Sequence, residues 1–94
     1  VSCNDAFVMN AWAEDLRIKN VKLIPDGSCE FTNGMGMLVR KDNVGFGARS
    51  WRYAMVVDDG TVERMFVEPG QEDDHGADPY GESAPEKVLE YLKS

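Results

Sequence analysis

Apolar positions recur with helical spacing at both ends of the chain. The first set predicts a helix from Asp5 to about Leu16, N-capped by Asn4 or Asp5, with one apolar face made of Phe7, Val8, Ala11, Trp12 and Leu16. The second set follows Ser83, which we expect to cap a helix carrying Pro85 in its first turn. Its apolar face consists of Val88, Leu89, Tyr91 and Leu92. Two amphipathic helices therefore flank the rest of the chain.

Shorter apolar runs between these helices predict strands and one further helix. Residues 1–3 are typical of the end of a buried strand, and residues 21–24 predict a short strand. Ser28 is the expected cap of a short helix over residues 29–32, which glycines at positions 34 and 36 end. Residues 40–43 are polar and predict a surface turn.

Residues 45–69 form a glycine-rich loop followed by two predicted strands. The Asp59–Gly60 pair between the strands favours a two-residue hairpin, because both central positions of a type I′ turn need positive φ. The near-continuous apolar runs of the hairpin are typical of central strands covered on both faces. Because helices alternate with strands and an antiparallel pair comes late, the order predicts an α/β layered sheet.

The composition mainly excludes certain classes of partner and of location. A length of 94 residues allows one domain, and a net charge of −7 argues against nucleic-acid and anionic-membrane partners. No apolar run approaches eighteen residues, and the sequence contains no secretion signal. The sequence begins at Val1 and not at methionine, which suggests a fragment or a processed chain. Two cysteines without a scaffold pattern suggest a reducing compartment, the cytoplasm.

Arg49 and Arg52 are the first candidates for chemistry, since a guanidinium fork can hold an oxyanion or a thiolate. The commoner role of an arginine is a surface pair with an acid. Arg52 differs because it opens an apolar strand, where a charge must be paired or must point into a cleft. The acidic loop around the sole histidine, His75, contains metal-ligand residue types, but a solvated surface loop explains it better.

Cys3 and Cys29 are the second candidates. Cys29 lies near a predicted helix start, which lowers a thiol pKa, but buried structural thiols are the commoner case. A disulfide switch between the two requires Cα atoms within about 7 Å. The sequence leaves both interpretations open.

Several ungapped segments together resemble the peroxiredoxin-five subfamily, also called type II peroxiredoxins. They are Ser2-Cys3-Asn4-Asp5-Ala6-Phe7-Val8-Met9 with Trp12, Asp26-Gly27-Ser28 with Glu30-Phe31, and the run from Gly45 through Arg52-Tyr53-Ala54-Met55-Val56-Val57 to Val67-Glu68-Pro69. The sequence of these segments is most similar to that of bacterial members, some of which are fused to glutaredoxin. The resemblance covers nearly the whole chain.

The resemblance implies a thioredoxin-like α/β fold with flanking helices, of which residues 1–94 are the C-terminal part of a single domain lacking the first elements. It implies a thiol peroxidase that reduces hydrogen peroxide and alkyl hydroperoxides, without a cofactor or metal. It further implies glutathione with glutaredoxin, or thioredoxin, as the reductant, and a homodimer as the assembly. The family's arginine aligns with Arg52, and Val44 and Phe46 match positions along the apolar approach of the peroxide.

The sequence departs from the family pattern at the nucleophile. The motif Pro-x-x-x-(Thr/Ser)-x-x-Cys, which carries the peroxidatic cysteine, lies upstream in the family and is absent from these residues. Cys3 stands where the family often has valine, and Cys29 where it often has glycine. The alternative is therefore a non-catalytic binding or assembly module. Such an interface would be anchored by the aromatic side chains of Phe7, Trp12, Trp51 and Tyr80, although we assign Phe7 and Trp12 to the core.

Overall fold

The computed structural model describes residues 1–93, which form two compact units: Val1–Ser50 and the chain from Trp51 onward. The first unit contains helices α1 (Ala6–Asp15) and α2 (Glu30–Gly34) and strands β1 (Leu38–Arg40) and β2 (Ala48–Ser50). The second contains strands β3 (Tyr53–Asp58) and β4 (Thr61–Val67) and helix α3 (Pro85–Lys93). None of the helices in the described part of the chain has the length and apolar character needed to cross a membrane.

Helix α1 confirms the first predicted helix and its cap. Asp5 is the N-cap, and its Oδ1 accepts a hydrogen bond of 2.9 Å from the main-chain nitrogen of Val8. The predicted apolar face is wrong for the described residues, because the buried side chain is Met9. Phe7 is 88% exposed and Trp12 is 47% exposed, so the core assignment of these two aromatics is also wrong. The apolar residues of this helix extend over more of its surface than the rest of the first unit covers.

Residues 21–24 do not form the predicted strand. They contribute to an isolated parallel bridge, in which the nitrogen of Ser2 donates to the oxygen of Ile24 at 3.3 Å and the nitrogen of Asp26 donates to the oxygen of Ser2 at 2.9 Å. One bridge satisfies too few main-chain groups to propagate a strand. The expected strand end at residues 1–3 is likewise reduced to this bridge.

The second helix occurs as predicted, but Ser28 does not cap it. Cys29 holds the N-cap position in the left-handed conformation, at φ 61°, and makes no side-chain cap. The carboxylate of Asp26 accepts from the nitrogens of Phe31 at 3.3 Å and Thr32 at 2.8 Å instead. An aspartate thus satisfies the helix start from four residues before it. Residues 42–44, overlapping the predicted polar turn, form a 3₁₀ turn.

The loop ahead of the hairpin holds a strand that the sequence did not predict. Strand β2 pairs antiparallel with β1, and Val39 lies opposite Arg49. Leu38 and Ser50 mark the other end of the same three-residue register. This ladder fixes the backbone of Arg49 in the first unit.

The hairpin is confirmed in the second unit. Asp59 and Gly60 have φ of 50° and 77°, as a type I′ turn requires, and β3 pairs antiparallel with β4 with an irregularity between Val56 and Val57. The prediction that both faces are covered is wrong for the described residues, since the sheet has two strands and Val57 is exposed. Helix α3 packs on this hairpin through an edge-to-face contact of Phe66 and Tyr91, with ring centroids 5.9 Å apart.

Helix α3 begins at Pro85, and Ser83 is not its cap. The Ser83 hydroxyl donates to Glu68 Oε2 at 2.5 Å, so it is engaged with the end of β4. A charged acceptor attracts the hydroxyl more strongly than a helix nitrogen does.

A candidate active site around Arg52

Arg52 immediately precedes β3, and its main chain is held by the end of β4. The carbonyl oxygen of Arg52 accepts a hydrogen bond of 3.3 Å from the nitrogen of Glu68. One residue earlier, the indole Nε1 of Trp51 donates to the carbonyl oxygen of Glu68 at 2.7 Å. Trp51 is buried and also meets the His75 ring edge-on at 5.3 Å. The hairpin therefore fixes the position from which the Arg52 side chain extends.

The guanidinium of Arg52 is held by three consecutive residues of the acidic loop. Nη2 lies 3.1 Å from Asp78 Oδ2, Nη1 donates to the carbonyl oxygen of Pro79 at 3.2 Å, and the Tyr80 ring lies under the group at 5.0 Å. The side chain of Arg52 remains 40% exposed. It is thus oriented from one side while the other side is open to a ligand.

Glu68 ties the loop segment behind this guanidinium to β4. Its side-chain carboxylate accepts from the main-chain nitrogens of Gly81, Glu82 and Ser83, and from the Ser83 hydroxyl. These hydrogen bonds, with that of the hydroxyl the largest, lower the pKa of Glu68 to about 2 despite its burial. The carboxylate is therefore ionised and anchors the segment that immediately follows Tyr80.

The arrangement suits an anionic or electron-rich ligand. A guanidinium has five N–H donors, and the contacts given above for residues 1–93 use two of them. A planar cation with donors to spare stabilises oxygen or sulfur atoms on which negative charge develops. The described residues that contact this guanidinium, Asp78, Pro79 and Tyr80, include no cysteine.

Val44 and Phe46, the predicted substrate-pocket residues, belong to the first unit, whereas Arg52 belongs to the second. Both apolar side chains are exposed. The Phe46 ring lies 5.5 Å from the guanidinium carbon of Arg49. The membership of these three residues in one site stays a prediction.

Arg49 makes a different set of contacts from Arg52. Its Nη1 donates to the oxygen of Cys3 at 2.8 Å and to Asn4 Oδ1 at 2.7 Å, and its Nε donates to the oxygen of Phe46 at 3.1 Å. The side chain is half-buried within the first unit. Arg49 thus links the segment before α1 to the loop before β2, which is a structural role.

Both cysteines line one cleft of about 500 Å³ in the first unit. Cys3 is buried and donates its thiol to Thr32 Oγ1 at 3.4 Å, while half-buried Cys29 donates to the oxygen of Ala48 at 3.7 Å. Thr32 in turn donates to Asp26 Oδ2 at 2.7 Å, and this bond is the main reason that the pKa of Asp26 is lowered. Both thiols therefore have polar neighbours.

The acidic loop shows no metal-binding arrangement within residues 1–93, where no group of three or more histidine, cysteine, aspartate or glutamate side chains converges. His75 Nδ1 accepts from the nitrogen of Ala77 at 3.0 Å. His75 Nε2 lies 3.9 Å from Glu72. The loop instead supplies Asp78 and Tyr80 to the guanidinium, a role that its acidic composition did not reveal. The feature of the sequence that could have indicated this role of the loop is Glu68, a charged residue at the end of an apolar strand.

Comparison with known proteins gives a consistent result. Residues 1–80 match the redoxin family. The chain is 61% identical over 94 residues to a peroxiredoxin of Rhizobium etli, covering 100% of this chain and 52% of that protein. It is 54% identical over 92 residues to the hybrid peroxiredoxin hyPrx5 of Haemophilus influenzae, covering 98% of this chain and 36% of that protein.

Solved structures extend the similarity to the fold. The crystal structure of the Plasmodium falciparum antioxidant protein, a 1-Cys peroxiredoxin, matches with a TM-score of 0.93 at 37% identity, covering 98% of this chain and 54% of that chain. This similarity confirms the predicted thioredoxin-like α/β fold class. The chain spans about half the length of the curated relatives it matches.

Proposed function

The chain belongs to the redoxin family, as a peroxiredoxin-type segment, and we propose that the whole protein is a thiol peroxidase in which Arg52 serves a peroxidatic cysteine supplied from upstream of Val1. The observation that carries this proposal is the partly exposed Arg52 guanidinium, oriented by Asp78 and Tyr80 and with donors left for a ligand. Hydrogen peroxide and alkyl hydroperoxides are the proposed substrates. One of the similar solved structures is a Vibrio vulnificus Prx3 in complex with hydrogen peroxide.

The proposed step is a displacement at oxygen. The cysteine thiolate attacks one peroxide oxygen, an S–O bond forms, and the O–O bond breaks. The cysteine becomes a sulfenic acid, and the leaving oxygen takes a proton to give water or an alcohol. Negative charge moves from sulfur to the leaving oxygen, and the Arg52 donors stabilise it along this path. The guanidinium keeps its charge throughout, since its pKa lies far above neutrality in any protein.

Val44 and Phe46 are the proposed apolar approach for the substrate. Their side chains are exposed, as residues that meet a substrate from solvent must be. An apolar approach favours alkyl hydroperoxides over hydrogen peroxide, because only the former have carbon atoms to bury. Truncation of Phe46 to alanine should therefore raise KM for an alkyl hydroperoxide more than for hydrogen peroxide.

Regeneration of the cysteine requires an external thiol in this proposal. Glutathione with glutaredoxin is the first choice of reductant and thioredoxin the second. The chain is similar to a hybrid peroxiredoxin, so both reductants should be compared in the peroxidase assay. A cytoplasmic location fits two cysteines without a disulfide-scaffold pattern. A homodimer is proposed as well, since the exposed apolar side chains of α1 offer surface for association.

Peroxide consumption by the full-length protein tests the role of Arg52. We expect Arg52→Ala to lower kcat/KM by about 10²–10³-fold, the scale for removal of one charge-stabilising donor group. Arg40→Ala is the matched control, because Arg40 is an exposed arginine that also pairs with an aspartate, Asp42, at 3.3 Å. Equal activities of the two variants would reject the assignment of Arg52. Lack of peroxide turnover by the wild-type protein would favour a non-catalytic module.

A further inference from the structure

Cys3 and Cys29 lie at two chain segments that converge in the first unit. The bridge between Ser2 and Pro25 brings residue 3 beside the turn that starts α2, and the nitrogen of Cys29 donates to the oxygen of Asp26 at 2.9 Å within this turn. The hydroxyl oxygen of Thr32, in the first turn of the same helix, accepts a hydrogen bond from the Cys3 thiol. Both cysteines consequently border the same cleft, although they are 26 positions apart in the sequence.

The backbone of Cys29 adopts a conformation that residues with a side chain rarely take. Its φ of 61° lies in the left-handed region, where glycine is the residue with the lowest conformational cost. A cysteine at this position places its sulfur in the cleft, where Cys3, Ala48 and Arg49 are among the lining residues. Glycine would leave Cys3 without a sulfur neighbour on this wall.

The two thiols influence each other electrostatically. The pKa of Cys29 is raised to about 11, with the hydrogen bond to Cys3 as the largest cause, followed by burial. Asp26 also raises this pKa, whereas Arg49 lowers it. Both side chains line the same cleft, which brings the two groups near each other.

We propose that Cys3 and Cys29 are a separate redox pair, which hydrogen peroxide converts into a reversible disulfide within the first unit. One sulfur, as the thiolate, attacks a peroxide oxygen, the O–O bond breaks, and a sulfenic acid and water result. The second sulfur attacks the sulfenic sulfur, the S–S bond forms, and the oxygen leaves as a second water. Two thiols and one peroxide thus yield one disulfide and two waters, and an added dithiol reverses the change.

The resulting bond would connect the segment before α1 to the start of α2. Arg49 already contacts the carbonyl oxygen of Cys3, and Cys29 already contacts the oxygen of Ala48 in β2. The disulfide therefore strengthens an existing junction. It is independent of Arg52 and of the upstream cysteine, so it goes beyond the proposed peroxidase activity.

Peptide mapping of the full-length protein tests the pair. The reduced protein is treated with hydrogen peroxide in slight excess over its total thiols, remaining thiols are alkylated, and the chain is digested with trypsin. Cleavage after Arg17, Lys22 and Arg40 places Cys3 and Cys29 in different peptides. We expect a cross-linked product of these two peptides that disappears after dithiothreitol. Complete alkylation of both cysteines, or separate sulfinic acids on each, would overturn the proposal.

A comparison of rates shows whether the fold itself pairs the thiols. We expect the cross-link to form at least about tenfold faster in the native protein than in urea, because the fold raises the effective concentration of one thiol at the other. Equal rates would mean chance pairing on a flexible chain and would also overturn the proposal. Cys3→Ser and Cys29→Ser, each analysed alone, should lack the product. Peroxide turnover of the Arg52→Ala variant does not enter this readout, so the two proposals fail separately.

Discussion

Trp51 donates its indole N–H to the main-chain carbonyl of Glu68 at 2.7 Å, and both residues are only 3% exposed. The nitrogen of Glu68 in turn donates to the oxygen of Arg52. The main chain of Glu68 thus contacts the Trp51 side chain and the Arg52 backbone, while its carboxylate holds the segment after Tyr80. The guanidinium and the residues that orient it are positioned through this one glutamate.

We predict that Glu68→Gln destabilises the protein. The amide side chain keeps one acceptor oxygen but turns an NH₂ group towards main-chain nitrogens that also donate, so at least one buried donor loses its partner. Chemical denaturation of the variant should give a lower free energy of unfolding than the wild type. Glu14→Gln, the same change on the exposed side of α1, is the control and should leave stability nearly unchanged.

The stabilisation by Glu68 should depend on pH. Its folded-state pKa of about 2 lies below the ordinary value of 4.5, so the ionised carboxylate stabilises the fold fully above pH 4.5. That contribution is lost progressively as the pH falls from 4.5 towards 2. The difference in unfolding free energy between wild type and Glu68→Gln should shrink over this range. A difference that stays constant down to pH 2 would contradict the prediction.

The sequence predicted the elements that local chemistry determines. Asp5 as a cap and Asp59–Gly60 as a turn each act through their own backbone, so no distant contact was needed to place α1 or the hairpin. Arg52 was identified for its place ahead of an apolar strand and through the family resemblance. These are features that single residues and their neighbours carry.

The sequence did not predict features that depend on distant partners. Ser28 and Ser83 looked like caps, but Asp26 holds the start of α2 and Glu68 takes the Ser83 hydroxyl. The position of Asp78 against Arg52, 26 residues away, also depends on the folded loop. In α1 the buried side chain is Met9 and not the predicted apolar face. The packing partners of a helix, and not its periodicity alone, decide which side is covered.

Thr32→Val should destabilise the first unit by about 1–3 kcal/mol, because the hydroxyl of fully buried Thr32 is lost from a network in which Asp26 accepts its proton and Cys3 donates to it. Valine keeps the shape of the side chain, so the effect isolates the hydrogen bonds. Thr61→Val on the exposed start of β4 is the matched control. NMR titration should also show the pKa of Asp26 rising towards its ordinary value, since the Thr32 hydroxyl is the main cause of its lowering.

Gly60→Ala should cost about 1–2 kcal/mol, the penalty of a left-handed conformation for an L-residue. A Cβ at Gly60 meets nothing within 4 Å, so the cost arises from φ of 77° and not from a clash. Gly34→Ala provides the comparison, because that Cβ also meets nothing and Gly34 ends α2 without a positive φ. Thermal unfolding should show a lower Tm for the first variant and an equal or higher Tm for the second. Similar losses in both would contradict the conformational argument.

The ion pair of Arg52 with Asp78 should orient the guanidinium without adding much stability. Asp78 is 80% exposed and Arg52 is 40% exposed, so water and salt screen their attraction. A double-mutant cycle with Arg52→Ala and Asp78→Asn should give a coupling of about 0.2–1 kcal/mol that decreases as salt is added. The exposed pair of Arg40 and Asp42 should give a coupling of similar size. A salt-independent coupling well above that of the reference pair would contradict this prediction and would show that Asp78 also contributes to stability.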